Sequence, residues 1–311
     1  KAVNSYFIFQ SERLVLHQDA SLVWKSQKIK LAAPNSKRTY AGRQQFFAHV
    51  KRERDTTNQF DDATSEITPL DQVRSEQYSG QVTRVFKAGF FMQDKQGQNL
   101  AEKCQQMHST GACFDLSTGL HLFAQMLTLA NNQIKNNTIN YDIGWHNFII
   151  NDQNELFAID FGACAGPNQG LPLHLLATEL AYCIDAGYKR FVTRLEEGVP
   201  FDTVEVSMNL TEGFQLMQHQ LTKAFLKVLN PTKSLHDLDS FERFKECFIS
   251  EPLREHAAIK ALYDMLQSMR QLPTVHRPIK PMEMSQIIGQ VSQIQSDINQ
   301  TNVNNQQPTL G

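Results

Sequence analysis

One stretch limits the folds open to this chain more than any other. It reads Asp142-Ile-Gly-Trp-His146-Asn147, then Phe148-Ile-Ile150, the polar Asn151-Asp-Gln-Asn154, Glu155-Leu-Phe-Ala-Ile159, and Asp160-Phe161-Gly162. Phe148 to Ile150 and Leu156 to Ile159 are two short apolar runs, and the Asn and Asp residues between them are turn formers, so the pattern predicts a hairpin. A hairpin of that size folds Asp160 back beside Asn147. Two oxygen ligands then converge on one hard cation, whose other ligands come from phosphate and water. Any polar turn between strands can carry Asp and Asn, and a D-F-G tripeptide alone says little. The information lies in D-x-x-x-x-N, hairpin and I-D-F-G occurring in that order.

This set resembles the magnesium and phosphate machinery of kinases. The run from Asn147 to Gly162, above all Glu155-Leu-Phe-Ala-Ile-Asp-Phe-Gly162, is most similar to the phosphatidylinositol 3- and 4-kinases, whose pattern is D-R-H-x-x-N followed by a hairpin ending in L-F-H-I-D-F-G. The resemblance implies an α+β, two-lobed protein-kinase-like fold: a β-rich N-lobe over 1–93, a mainly helical C-lobe over 94–298, and a tail or linker over 299–311. It implies ATP and Mg2+ as cofactors, with Asn147 and Asp160 as metal ligands and Asp142 beside the acceptor hydroxyl. The Arg and His that follow the loop Asp in the family are Ile143 and Gly144 here, and the nearby histidine is His146. The catalytic base is therefore either Asp142 or His146, whose near-neutral pKa suits the task; Asp142 is placed first.

The chain has 311 residues, 41% of them hydrophobic, enough for one two-lobed enzyme or two ordinary domains. A formal net charge of -2 argues against a general nucleic-acid binder. Lys51-Arg52-Glu53-Arg54 is the nearest approach to a basic patch and reads as a solvated helix face. The five cysteines are scattered without a C-x-x-C pair, which gives no zinc signature and suits a reducing compartment. No apolar run approaches the length of a membrane span.

Before the central motif, Tyr6 to Phe9, Leu14 to Leu16, Leu22 to Trp24 and Lys28 to Leu31 read as short strands, and no Gly occurs before Gly42. The missing G-x-G-x-x-G loop counts against ordinary protein kinases. Lys25 and Lys30 are the candidates to contact the α- and β-phosphates, with Lys30 slightly preferred, and Glu53, Glu66 and Glu76 are candidate acidic partners. Gln44 to Arg54 is helical in pattern, and Pro69 is expected to start a second helix that reaches Glu76. Val82 to Phe86, a Lys87-Ala88-Gly89 turn and Phe90 to Met92 read as a hairpin ahead of a helix from Asn99; in the kinase layout that the resemblance implies, this is the hinge, with the adenine against the Met92 and Gln93 backbone.

Leu120 to Ile134 has a helical apolar period. After Gly162, the stretch from Ala163 to Gly170 carries no Lys or Arg. Each added phosphate on a headgroup needs a cationic partner, so this loop points to a less phosphorylated lipid or to a substrate held elsewhere. Helices are expected over Leu175 to Ala186, Met208 to Leu229, Phe241 to Ile249, Glu255 to Leu272 and Pro278 to Ile298. The Asn/Gln-rich end reads as a tail or linker.

The expected activity is phosphoryl transfer from ATP to a hydroxyl of a phosphatidylinositol lipid. That places the protein in the cytoplasm as a peripheral membrane enzyme, and a bacterial effector acting in a host cytosol fits the unusual loop. The alternatives are a protein kinase, a small-molecule kinase of the aminoglycoside phosphotransferase type, or a pseudokinase binding module.

Overall fold

Strand β5 (Gln81–Gln93) organises the N-terminal part of the molecule in the computed structural model, which describes residues 7–8, 22–31, 37–60, 68–70, 75–78, 81–169, 171–172, 205–206, 209–271 and 282–306. Along one edge β5 pairs antiparallel with β2 (Leu22–Leu31), from Leu22 opposite Gln93 to Leu31 opposite Arg84. On its other edge lie β3 (Thr68–Leu70) and β4 (Ser75–Tyr78), and β1 (Phe7–Ile8) extends the sheet beyond β2. The helix α1 (Lys37–Phe60) follows β2 and contacts both β2 and β5.

Three local expectations change here. Leu22 to Leu31 is one strand rather than two. The Lys87-Ala88-Gly89 segment is no turn: Gly89 lies within β5, opposite Ser26 on one side and Thr68 on the other. Glycine in a central strand marks close backbone approach as readily as a turn. Pro69 belongs to an edge strand, where a missing N–H costs no ladder bond, and Glu76 lies on β4 instead of a second helix. The expected strand at Leu14 to Leu16 and helix at Leu175 to Ala186 lie outside the described residues.

The C-terminal part is built on helices. After β6 (Gln98–Asn99) come α2 (Leu100–Ser109) and α3 (Leu116–Lys135), and further on α4 (Leu210–Leu229), α5 (Phe241–Phe248), α6 (Ala257–Met269) and α7 (Met284–Gln306). On α3, Leu120, Phe123, Met126, Leu127 and Ala130 are fully buried at helical spacing. Phe123 stacks on Phe225 of α4 with ring centroids 4.4 Å apart. Burial of each such large side chain contributes roughly 1.5–3 kcal/mol. The helix starts are capped by Asp115 on α3 and by an Asn209/Glu212 capping box on α4. Helix α7 runs through Gln306, into the segment read as a tail, with Ile287, Val291, Ile294 and Ile298 buried.

Short strands occupy the chain between α3 and α4. Strand β8 (Phe148–Ile150) joins β6 to β9 (Leu156–Ala158), and β7 (Ile139–Asn140) pairs with β10 (Cys164–Ala165). A short pair, β11 (Leu171–Pro172) with β12 (Glu205–Val206), completes the described strands. Gly213 lets α4 approach β7, since a Cβ there would stand 2.5 Å from Ile139 Cδ1. Among the described residues no helix is long and apolar enough to cross a membrane.

Candidate functional site

The β8–β9 hairpin matches the expected register, with Phe148 opposite Ala158 and Ile150 opposite Leu156. Its turn closes on Asn151, whose Oδ1 accepts from the N–H groups of Gln153 (3.0 Å) and Glu155 (2.8 Å), while Asn154 takes a positive φ of 60°. At the open end the Ile159 N–H donates to the Asn147 carbonyl at 2.8 Å. Asp160 therefore leaves the hairpin beside Asn147.

The side chain of Asn147 is buried and committed. Its Nδ2 donates to the Asp142 carbonyl at 2.7 Å and to Asp142 Oδ2 at 3.0 Å. With both amide protons on Asp142, Oδ1 is the atom left to face a cation. Asp160 has φ of 63°, a left-handed conformation that Asp tolerates because its short side chain bonds locally. Here the Gly162 N–H donates to Asp160 Oδ1 at 3.3 Å. Phe161 is buried and stacks on Phe60, the last residue of α1, with centroids 5.7 Å apart.

Asp142 sits two residues beyond the end of β7, after Tyr141. The Tyr141 N–H donates to the Ala163 carbonyl at 2.9 Å, so the chain before Asp142 and the chain after Gly162 are tied together. The Asp142 N–H donates to Asn140 Oδ1 at 3.0 Å. The carboxylate, 25% exposed, meets the half-exposed His146 ring: Nε2 stands 3.3 Å from Oδ1 and 3.4 Å from Oδ2. Gly144 makes that contact possible. A Cβ at residue 144 would stand 2.5 Å from His146 Cε1 and 2.8 Å from Nδ1, so the imidazole fills the space of the absent side chain.

Other expected residues take these places. Glu53 is 1% exposed, and a Cβ on Gly162 would lie 3.2 Å from Asp160 Oδ1 and 3.5 Å from Glu53 Oε2, so both carboxylates flank Gly162. Glu66 lies outside the described residues. In the β2–β5 ladder Lys25 is the partner of Phe90, which is buried, and Lys30 is the partner of Val85. Met92 is buried and Gln93 exposed at the end of β5, from which the chain passes tightly over β8: a Cβ at Gly97 would meet the Ile150 carbonyl oxygen at 2.5 Å.

Three carboxamides at this site were not among the expected residues. Asn99 caps α2, accepting from the Ala101 N–H at 3.0 Å, and donates through Nδ2 to the His146 carbonyl at 2.6 Å. Asn140 holds the Asp142 N–H, and Gln220 reaches the same loop from α4. Asn99 carried a signal as the polar residue opening a helix. Asn140 and Gln220 carried none, because a carboxamide next to a strand end or inside a helix has many uses.

No family model and no curated protein sequence matches the chain. Among solved structures it is similar to the ROP18 kinase domain in complex with AMP-PNP and sucrose, with TM-score 0.53, 13% identity, and coverage of 92% of this chain and 76% of that one. It is also similar to the Toxoplasma gondii specific rhoptry antigen kinase domain, with TM-score 0.51, 11% identity, and coverage of 89% and 75%. At such identities the likeness concerns the fold alone. The chain has a kinase-like fold.

Proposed function

We propose that this chain is a phosphotransferase that moves the γ-phosphoryl group of ATP to a hydroxyl acceptor. The observation that carries the proposal is the Asn147 amide, turned by its two bonds to Asp142 so that Oδ1 is left for a cation next to Asp160. A carboxamide oxygen and a carboxylate are hard donors and fit Mg2+, which takes few protein ligands and shares phosphate oxygens. Bound there, the ion neutralises charge on the phosphates.

The protein's own groups then do the positioning. Asp142 orients the acceptor hydroxyl and accepts its proton, and His146, against the same carboxylate and half-exposed, relays that proton to solvent. Lys25 is the lysine assigned to the phosphates, in preference to Lys30, because its register partner Phe90 lies on a buried position beside the end of β5. Glu53, buried against Gly162, is its acidic counterpart, and the backbone at Met92 and Gln93 meets the adenine. This assignment divides the chain into a small lobe over 1–93 and a large lobe from 94 that extends past the expected boundary at 298 to the end of α7. The kinase-domain neighbour in complex with AMP-PNP supports ATP as the donor.

For the acceptor, the resemblance of Glu155 to Gly162 to the phosphatidylinositol 3- and 4-kinases supports a phosphatidylinositol lipid met at a membrane surface. The uncharged stretch from Ala163 to Gly170 favours a headgroup without added phosphates. The test is incubation with Mg2+ and radiolabelled ATP, offering phosphatidylinositol vesicles, a general protein substrate and small alcohols separately. Label in the lipid that disappears in Asp160→Asn is expected. Label confined to protein or alcohol would reassign the acceptor, and no label in any of the three would overturn the proposal.

A further inference from the structure

Gln220 lies in the middle of α4, 3% exposed and beside the core residue Leu221. Its Nε2 donates to the Tyr141 carbonyl at 2.6 Å, and its Oε1 accepts from the Ile143 N–H at 3.2 Å. These groups belong to the peptide unit that enters Asp142 and the one that leaves it. The same two units have two other polar groups, the Asp142 N–H and carbonyl, held by Asn140 Oδ1 at 3.0 Å and Asn147 Nδ2 at 2.7 Å. Three neutral carboxamides therefore satisfy every polar group of the backbone around Asp142, and one of them grips both sides at once. With both peptide planes held, φ and ψ of Asp142 have little freedom.

We infer that Gln220 is a positioning residue for phosphoryl transfer, aiming the Asp142 carboxylate at the acceptor by fixing the backbone that bears it. The inference rests on the phosphotransferase reading above. Its chemistry requires a group that both donates and accepts. A carboxylate in its place cannot donate to the Tyr141 carbonyl, and an apolar side chain leaves two backbone groups unsatisfied in the interior. Misplacement of a catalytic group by about 1 Å is enough to cost roughly 100-fold in rate.

Gln220→Met keeps the length and volume of the side chain, and Leu221→Ala serves as a control for loss of core packing in the same helix. Expected for Gln220→Met is a kcat lowered roughly 10- to 100-fold with a much smaller change in KM for ATP, since neither Asn147 nor Asp160 is itself substituted. Hydrogen exchange at the Ile143 amide should also be faster. Leu221→Ala should lower the melting temperature without that loss of kcat. A kcat within about twofold of wild type for Gln220→Met, or an equal loss in Leu221→Ala, would overturn the inference. If the wild-type protein transfers no phosphate, the phosphotransferase reading has failed, and exchange at Ile143 decides the role of Gln220: unchanged protection in the variant overturns it, and faster exchange supports it. Should Gln220→Met fail to fold, Gln220→Glu, which keeps the acceptor and removes the donor, is read by the same criteria.

Discussion

At the scale of single residues, the site depends on where small and amide side chains leave room or supply bonds. Gly144 leaves room: its missing side chain is the space taken by the His146 ring, which reaches the Asp142 carboxylate from two positions further along. The two residues should therefore act as a unit. Gly144→Ala forces the imidazole away, and His146→Ala removes it, so each is expected to lower kcat by about 100-fold, the lower end of general acid–base help. The double variant should be no worse than either single one, because both delete one interaction. Steady-state kinetics of the three variants checks this, and additive losses would show that Gly144 and His146 contribute separately.

At the scale of elements, the apolar hairpin was legible because short strand runs and a polar turn leave few alternatives, and its register fixes where Asp160 emerges. The long helices were legible for a related reason: their apolar residues recur at helical spacing. Segments that owe their conformation to distant partners were not. Gly89 looks like a turn residue until β2 and β3 are seen on either side of it, and Pro69 looks like a helix start until it is placed on an edge strand. The bonds from Gln220 to the loop around Asp142 belong to the same class, since it meets residues 77 and 79 positions away.

A second element-scale device lies among the C-terminal helices. Asp237 closes the 3-10 turn Leu235–Leu238, accepting from the Ser234 N–H at 2.8 Å and from Arg243 Nε of α5 at 2.9 Å. Burial by itself pushes the Asp237 carboxyl up, but the Ser234 and Arg243 bonds outweigh it and hold the group below the ordinary carboxylate value. The folded carboxyl thus holds its proton less tightly than the unfolded one. Its contribution is present above about pH 4, the unfolded value, and is lost as the pH falls below it. Asp237→Asn should cost about 1–2 kcal/mol near neutral pH, a figure kept low because Arg243 is more than half exposed. Thermal melts of variant and wild type should converge in acid, and a constant gap from about pH 7 to about pH 3 would count against this.

At the scale of the whole molecule, the fold survives with 13% identity to a kinase domain of known structure because its requirements are coarse. A sheet, a helix that reaches the Asp160-Phe161-Gly162 turn through Glu53 and Phe60, and a helical core around α3 and α4 are met by many sequences. The loops carry the chemistry proposed above: carboxamides hold the backbone around Asp142, and a histidine folds over a glycine. A nucleotide shared between Lys25, the β5 end, Asn147 and Asp160 would draw on the N-terminal sheet and on the hairpin loops alike, so its binding should stabilise both.

That coupling gives the most direct test of the central claim, the melting temperature with ATP, with and without Mg2+, for wild type and Asp160→Asn. Asn retains the tolerance for a positive φ that Asp160 needs and removes the charge. Ligand at about 100 times its Kd adds about 2.7 kcal/mol, which for a chain of this size is a rise of several degrees. The account predicts that rise for wild type with Mg2+ and ATP together, and its loss when either Mg2+ or the Asp160 carboxylate is absent. A melting temperature indifferent to ATP, or a rise of the same size without Mg2+ and in Asp160→Asn, would contradict it.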